Sequence, residues 1–380
     1  MHIRQVINRN PTELDNTLTA LQGMPIDLLL IFGGIAHFTH PGLHEQLRQH
    51  VPDGIVLGCS TAGEIWGNGV NDGTCCITAI DFDEVGLTSA TTTLDGMKDS
   101  FAAGERIGQQ LFAADLKAVL VFGPGVQING SALVNGITSI IGQGIPITGG
   151  LAGDGGAFRE TFTLGQKGVA NNAVVAVGLC GEKLRFGHGS FGGWEPFGPA
   201  RKVTRADGNI LYELDGEPAL AIYKRYLGDQ VRNLPASGLL FPFAMLGEDH
   251  GAVGLIRTIL GVDEVQGSLI LAGEIDPDGY LRLMHASNDK LVNGAEAAAD
   301  AAVSMFHSAG AALAILVSCV GRKLVMGSRV DEEIEAVGDV LGDRATLTGF
   351  YSYGEISPFT PGASCKLHNQ TMTITCLGEA

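Results

Sequence analysis

Gly349-Phe350-Tyr351-Ser352-Tyr353-Gly354-Glu355-Ile356-Ser357-Pro358 places two phenols, a hydroxyl and a carboxylate where a buried strand should end. About 200 residues earlier the chain carries a plainer version, Thr148-Gly149-Gly150-Leu151-Ala152-Gly153-Asp154, with glycine and alanine in place of the aromatics and the acid restored after Gly153. The echo extends outward in both directions. An alanine-rich helical stretch leads into the apolar run Ala118-Val119-Leu120-Val121-Phe122, and the same order recurs with Ala314-Ile315-Leu316-Val317-Ser318. After each acidic turn come two further strand-like runs, 161–168 and 173–179 in one copy, 364–367 and 371–377 in the other. Repeated blocks in one order are the mark of internal duplication. The expected fold is mixed α/β (α+β): two related mixed-sheet domains, 1–190 and 191–380.

Length agrees with this, since 380 residues exceed what one hydrophobic core usually supports. The stretch 184–199, rich in Gly and Pro around Gly192-Gly193-Trp194-Glu195-Pro196, is the candidate crossing between domains. In the first half, residues 26–32 read as a strand buried on both faces, 41–50 as a helix, and 55–57 as a second strand parallel to the first. Residues 75–82 and 85–93, separated by Asp83-Glu84, read as an antiparallel hairpin. Beyond the crossing, 203–205 and 210–214 read as a hairpin turning at Asp207-Gly208, with a helix opening at Glu217-Pro218. Residues 288–307 carry the longest helix signal.

Hydrophobic residues make up 45% of the chain and charged ones 17%, which excludes a disordered chain. A formal charge of −17, uninterrupted by any basic cluster, opposes phosphate contacts, so no nucleic acid partner is expected. The seven cysteines show no metal spacing and read as reduced interior thiols. The N-terminus lacks a signal-peptide core and no apolar run is long enough for a membrane span, so no membrane insertion and a cytoplasmic location are expected.

Several motifs together resemble the FIST family of sensory domains, which have an N-terminal and a C-terminal part: Gly58-Cys59-Ser60-Thr61-Ala62-Gly63-Glu64, Gly149 to Asp154, Leu214-Asp215-Gly216-Glu217-Pro218-Ala219, Ser318-Cys319-Val320-Gly321-Arg322, Phe350 to Ile356, and His368-Asn369-Gln370-Thr371. The resemblance covers nearly the whole chain. It implies a small-ligand sensory module in signal transduction, with an amino acid or related metabolite as ligand and a separate signalling partner protein. Stand-alone members of this kind include haem proteins that sense nitric oxide and regulate a histidine kinase, so haem is a candidate cofactor by resemblance.

Residue chemistry supplies the candidate site. Tyr351 and Tyr353 alternate with Ser352, which in extended chain sends both phenols to one face, where they either wall a pocket or fill a half-buried strand. Glu355 suits a ligand ammonium and Arg322 a ligand carboxylate; alternatively the two pair with each other or with a backbone end. Ser60, Thr61, Asp154 and Asn369 complete the expected ligand-binding set, with a turn satisfying its own backbone as the other reading of Ser60-Thr61. For haem, His188 between Phe186 and Phe191 has the most suitable neighbourhood, set against a satisfied core histidine. An enzyme using Glu355, Asp154 or Cys59 is the competing class, yet no nucleophile, base and orienting group assemble, and Gly58 to Gly63 lacks nucleophile-elbow spacing.

Overall fold

The computed structural model describes residues 1–234, 236–247, 250–306, 310–359 and 362–380. The buried apolar runs Leu28–Gly33, Leu116–Gly123 and Leu313–Cys319 are the central strands of three sheets. Each has a parallel neighbour reached through a helical crossover: Ile55–Ser60, Ile147–Leu151 and Thr346–Ser352 respectively. On its other side each is paired antiparallel with Cys75–Asp81, Ala173–Cys180 or Met372–Glu379, and beyond that lies an edge strand, His2–Asn8, Gly86–Thr93 or Leu184–Phe191.

The duplication visible in the sequence is thus part of a threefold repeat. One unit spans 2–81, a second 86–180, and a third is built from 184–191 with 313–379. Each sheet is completed by a hairpin from another unit. Glu64–Trp66 and Gly69–Asn71 of the first join the third; Thr163–Gly165 and Gly168–Ala170 of the second join the first; Gly354–Pro358 and Cys365–His368 of the third join the second. The exchange runs in one cyclic direction and interlocks all three units.

Alternation along the strands explains how the sheets meet. Leu28, Leu30 and Phe32 share one central core with Ala118, Leu120, Phe122, Leu313, Ile315 and Val317. Phe32, Phe122 and Phe350 close that core as a triangle, with ring centroids 4.8–5.7 Å apart. Opposite faces carry helices: Leu29 and Ile31 pack beneath Leu43–His50, and Val119 and Val121 belong to the core beneath Ser100–Leu111 and Gly130–Ile141. Both faces being covered, the central strands read as continuous apolar runs.

The glycine that opens each acidic corner has one structural reason. Gly58, Gly149 and Gly349 lie in register with Ile31, Val121 and Leu316 of the parallel neighbour. A Cβ at any of them would stand 1.8–2.0 Å from that neighbour's carbonyl oxygen. Side chains are excluded there by backbone.

Residues 195–285 form a fourth sheet with its own core around Leu211, Leu214, Tyr223, Phe243, Leu269 and Leu281, packed on the helix Ala219–Leu227. The Gly/Pro-rich crossing at 192–194 leads into this inserted region and not directly into the third unit, whose edge strand Leu184–Phe191 precedes it. The hairpin expected at 210–214 forms with Glu195–Asp207.

One pairing differs from expectation. Cys75–Asp81 and Gly86–Thr93 do not pair; they lie in different sheets, and the polar turn between them carries the chain from the first unit to the second. The strand-like run expected over 161–168 forms a hairpin of its own, Thr163–Gly165 with Gly168–Ala170, and Cys365–His368 and Met372–Glu379 belong to different sheets. The helix expected from 288 runs Asn288–Ser304, capped by the Ser287 side chain; its expected end, His307, lies outside the described residues.

Candidate functional site

At the Glu64 and Glu355 corners the chain leaves one sheet and enters the next, and the acid ties the two. Glu64 accepts from the Thr61 hydroxyl and from the Thr74 amide and hydroxyl, the latter two at 2.8 Å. Glu355 repeats the pattern with the Ser352 hydroxyl at 2.7 Å and the Thr371 amide and hydroxyl at 3.2 and 3.0 Å. Both carboxyls are buried. Ser60 is also sealed, donating to the Gly153 carbonyl and accepting from the Phe162 amide. Ser60, Thr61 and Glu355 therefore brace the strand exchange.

Burial pushes the Glu355 carboxyl up to about 7, against the opposing pull of Ser352, Thr371 and the Arg322 charge. In an unfolded chain this group titrates near 4.3. Between those values the folded state holds the extra proton, so its contribution is complete below about pH 4.5 and is lost as pH rises through about 7. Buried His368, held down to about 4 chiefly by burial, slopes the other way over pH 4–6.5, so a difference against a variant is needed. Wild-type stability measured relative to Glu355→Gln is expected to fall by on the order of 3 kcal/mol between pH 4.5 and 7.5 in urea titrations. A difference independent of pH would contradict this account.

The two phenols do not share a face, contrary to the alternation expected for an extended chain. Thr346–Ser352 belongs to one sheet and Gly354–Pro358 to another, so the chain turns at Tyr353. The Tyr351 hydroxyl donates to Glu333 at 2.6 Å in the interior. The Tyr353 hydroxyl points the other way, donating to Asp154 and accepting from the Gly156 amide at 2.9 Å, with its ring stacked on Phe158 at 4.0 Å. Asp154 also accepts from the amides of Phe158, Arg159 and Glu160. Burial works against its charge, but the Tyr353 and backbone donors outweigh it and hold the carboxyl below its usual range.

Arg322 is fully buried and paired with Glu333, not with Glu355, through Nε at 3.1 Å and Nη2 at 2.6 Å. It also donates to the carbonyls of Gly192 and Leu291. Asn369 is buried, its amide donating to the His368 carbonyl. His188 is buried beside Phe186, its basicity lowered by burial. The Cys59 thiol is likewise buried, which raises its pKa well above the usual thiol range and removes it as a nucleophile.

Of the eight expected ligand-binding residues, Tyr353 lines a large cavity. This cavity, about 610 Å³, lies where three parts of the chain meet. The second unit contributes Lys98, residues 125–130 and Phe158; the inserted region contributes Asn209, Leu260 and residues 271–274; the exchanged hairpin contributes Leu367 beside Tyr353. Asn129 joins two of these parts: its side-chain oxygen caps the helix Gly130–Ile141 at the Ala132 amide, and its amide donates to Glu274 at 2.9 Å. A mostly apolar hollow with a few polar groups, set between structural units, is the usual form of a small-molecule site.

The sequence reading missed Asn129, Glu274 and the neighbouring Arg257. Arg257 had a signal, as the single charge within the apolar run 252–262.

Three interlocked mixed α/β units and an inserted region border a mostly apolar hollow, an arrangement of the kind small-molecule-binding modules use. The chain belongs to the FIST family: the FIST N domain matches residues 27–217 and the FIST C domain residues 219–358. FIST domains are associated with signal transduction and small-ligand sensing. The chain is similar to uncharacterized protein MJ1623 of Methanocaldococcus jannaschii, 30% identical over 48% of this chain and 36% of that protein. It is also similar to uncharacterized protein Mb0898c of Mycobacterium bovis, 28% identical over 63% of this chain and 59% of that one. The match thus spans between about a third and three fifths of these relatives' lengths. A cyanuric acid hydrolase from A. caulinodans aligns over 100% of this chain and 98% of its own with a TM-score of 0.40 and 8% identity, a likeness too distant to speak to chemistry. Among the described residues no helix is long and apolar enough to cross a membrane, and no group of three or more His, Cys, Asp or Glu could hold a metal ion.

Proposed function

We propose that this protein is a cytoplasmic small-ligand sensor that binds an amino acid or related metabolite in the cavity walled by Tyr353 and signals through a separate partner such as a histidine kinase. The observation that carries this reading is the origin of the cavity walls in the second unit, the inserted region and the exchanged hairpin. A guest touching all three favours the arrangement in which they close on it, and the signal is bounded by its differential affinity for that arrangement.

Calorimetric titration with each of the twenty common L-amino acids tests the reading. At least one is expected to bind saturably. Ala272→Phe, which puts a ring into the cavity from a half-buried wall position, is expected to weaken that binding at least tenfold while leaving the thermal midpoint of the free protein within a few degrees. Binding unaffected by Ala272→Phe would place the ligand elsewhere, and no binding by any of the twenty would remove amino acids as its class.

A further inference from the structure

A second cavity, of about 250 Å³, adjoins the first, with Glu274 and Leu367 in both walls. Arg257 lines it and is 3% exposed. Its Nε donates to the Glu274 carbonyl at 2.9 Å and its Nη1 to the Ile256 carbonyl at 3.1 Å. Among the described residues no carboxylate lies within ion-pair distance of it, in contrast to Arg322, the other deeply buried arginine, which has Glu333. The exposed Glu274 carboxylate offsets the charge only from beyond ion-pair distance, so burial of this guanidinium is incompletely compensated, and its planar fork matches a carboxylate.

The charges around this hollow are placed unevenly. Lys366 lines it as well, and buried His368 is kept neutral by burial, then by the charges of Arg257 and Lys366. Two acids face the same space. One oxygen of Asp276 accepts from the Asp278 amide and caps a turn. Glu274 uses Oε1 for Asn129, while its Oε2 has no hydrogen-bond partner among the described residues. The junction of the two cavities therefore presents a fixed cation and a carboxylate oxygen with spare accepting capacity, and behind them a larger, more apolar space.

We propose that Arg257 and Glu274 form the head-group end of the ligand site, Arg257 receiving the α-carboxylate and Glu274 the α-ammonium of an amino acid whose apolar side chain fills the larger cavity. This assignment rests on the sensor reading above and adds the specificity determinants to it. Arg257 supplies a bidentate, charge-assisted contact in a desolvated place, where such contacts count most. Glu274 connects the same head group to Asn129 and so to the helix Gly130–Ile141 of the second unit.

The test uses the tightest-binding L-amino acid of the twenty, its α-amide, and its deaminated carboxylic acid. On the unmodified protein the amide is expected to bind at least thirtyfold more weakly than the acid, and the deaminated analogue at least tenfold more weakly. Arg257→Gln is expected to bring acid and amide within threefold of each other, and Glu274→Gln to do the same for the amino acid and its deaminated analogue. If Arg257→Gln does not fold, the amide comparison on the unmodified protein decides. An amide bound as tightly as the acid, or discrimination that survives Arg257→Gln, overturns the assignment but leaves the sensor reading standing as long as Ala272→Phe still weakens binding. Absence of binding by all twenty overturns the assignment and removes amino acids from the sensor reading.

Discussion

Gly349→Ala is expected to cost more than about 4 kcal/mol and to leave most of the protein insoluble on expression. Gly349 sits opposite Leu316 in the parallel pair at the centre of the third sheet. Its φ of 153° lies in the region that side chains rarely adopt, and an alanine Cβ would come within 1.8 Å of the Leu316 carbonyl oxygen and 2.7 Å of its carbon. The obstacle is backbone, so no rotamer change relieves it. Relief requires the two strands to separate, and both are buried on each face. Backbone conformation alone accounts for about 1–3 kcal/mol of the loss. Gly342→Ala isolates that part, because Gly342 has a φ of 71° and open space within 4 Å of where a Cβ would stand. Gly149→Ala should match Gly349→Ala, since its φ is 137° and its Cβ would meet the Val121 carbonyl at 2.0 Å. Urea titration of the set reads the comparison, and equal losses for Gly349→Ala and Gly342→Ala would show that the close strand approach is not the constraint.

The same glycine shows what the sequence could and could not disclose. Gly149 and Gly349 stand in matching contexts, so the echo between the second and third units was legible, as were the parallel pairing of 28–33 with 55–60 and the family. The first unit was harder to align, because Cys59 and Ser60 stand where the third has Phe350 and Tyr351, and residues 195–285 interrupt the third unit. The cyclic exchange of hairpins was not legible. Period-two alternation reports which face of a strand is buried but not which sheet it joins, so Cys75–Asp81 and Gly86–Thr93 looked like a hairpin although a sheet change separates them. Tyr353 was misaimed for the same reason. Within the site, aromatic and acidic residues at a strand end drew attention to the corner, yet most of them hold the exchange together, and the cavity wall is completed by Asn129, Leu260 and Glu274 from segments distant in sequence.

Arg322→Met is expected to destabilise the protein by about 3–5 kcal/mol, the usual cost of breaking a buried ion pair from one side. The change strips Glu333 Oε2 of both guanidinium bonds and leaves a carboxylate that is fully buried. Oε1 keeps the Ser318 hydroxyl at 2.9 Å and the Tyr351 hydroxyl at 2.6 Å, which are too few donors to replace a cation. The Gly192 carbonyl loses its guanidinium donor and the Leu291 carbonyl its second donor beside the helix bond, and Gly192 opens the crossing into the inserted region. Adding Glu333→Leu to Arg322→Met removes the stranded charge, so the double variant should be more stable than Arg322→Met by about 2 kcal/mol, although the Gly192 carbonyl and two hydroxyls stay unpaired. A double-mutant cycle by urea titration at pH 7.5 measures this coupling. Loss of less than about 1 kcal/mol in Arg322→Met would mean that water or a rearranged neighbour reaches Glu333. If the pair also fixes the inserted region over the cavity through Gly192, Arg322→Met should weaken amino-acid binding without touching the ligand. The more stable double variant should then fail to restore that binding, because Gly192 still lacks its guanidinium donor.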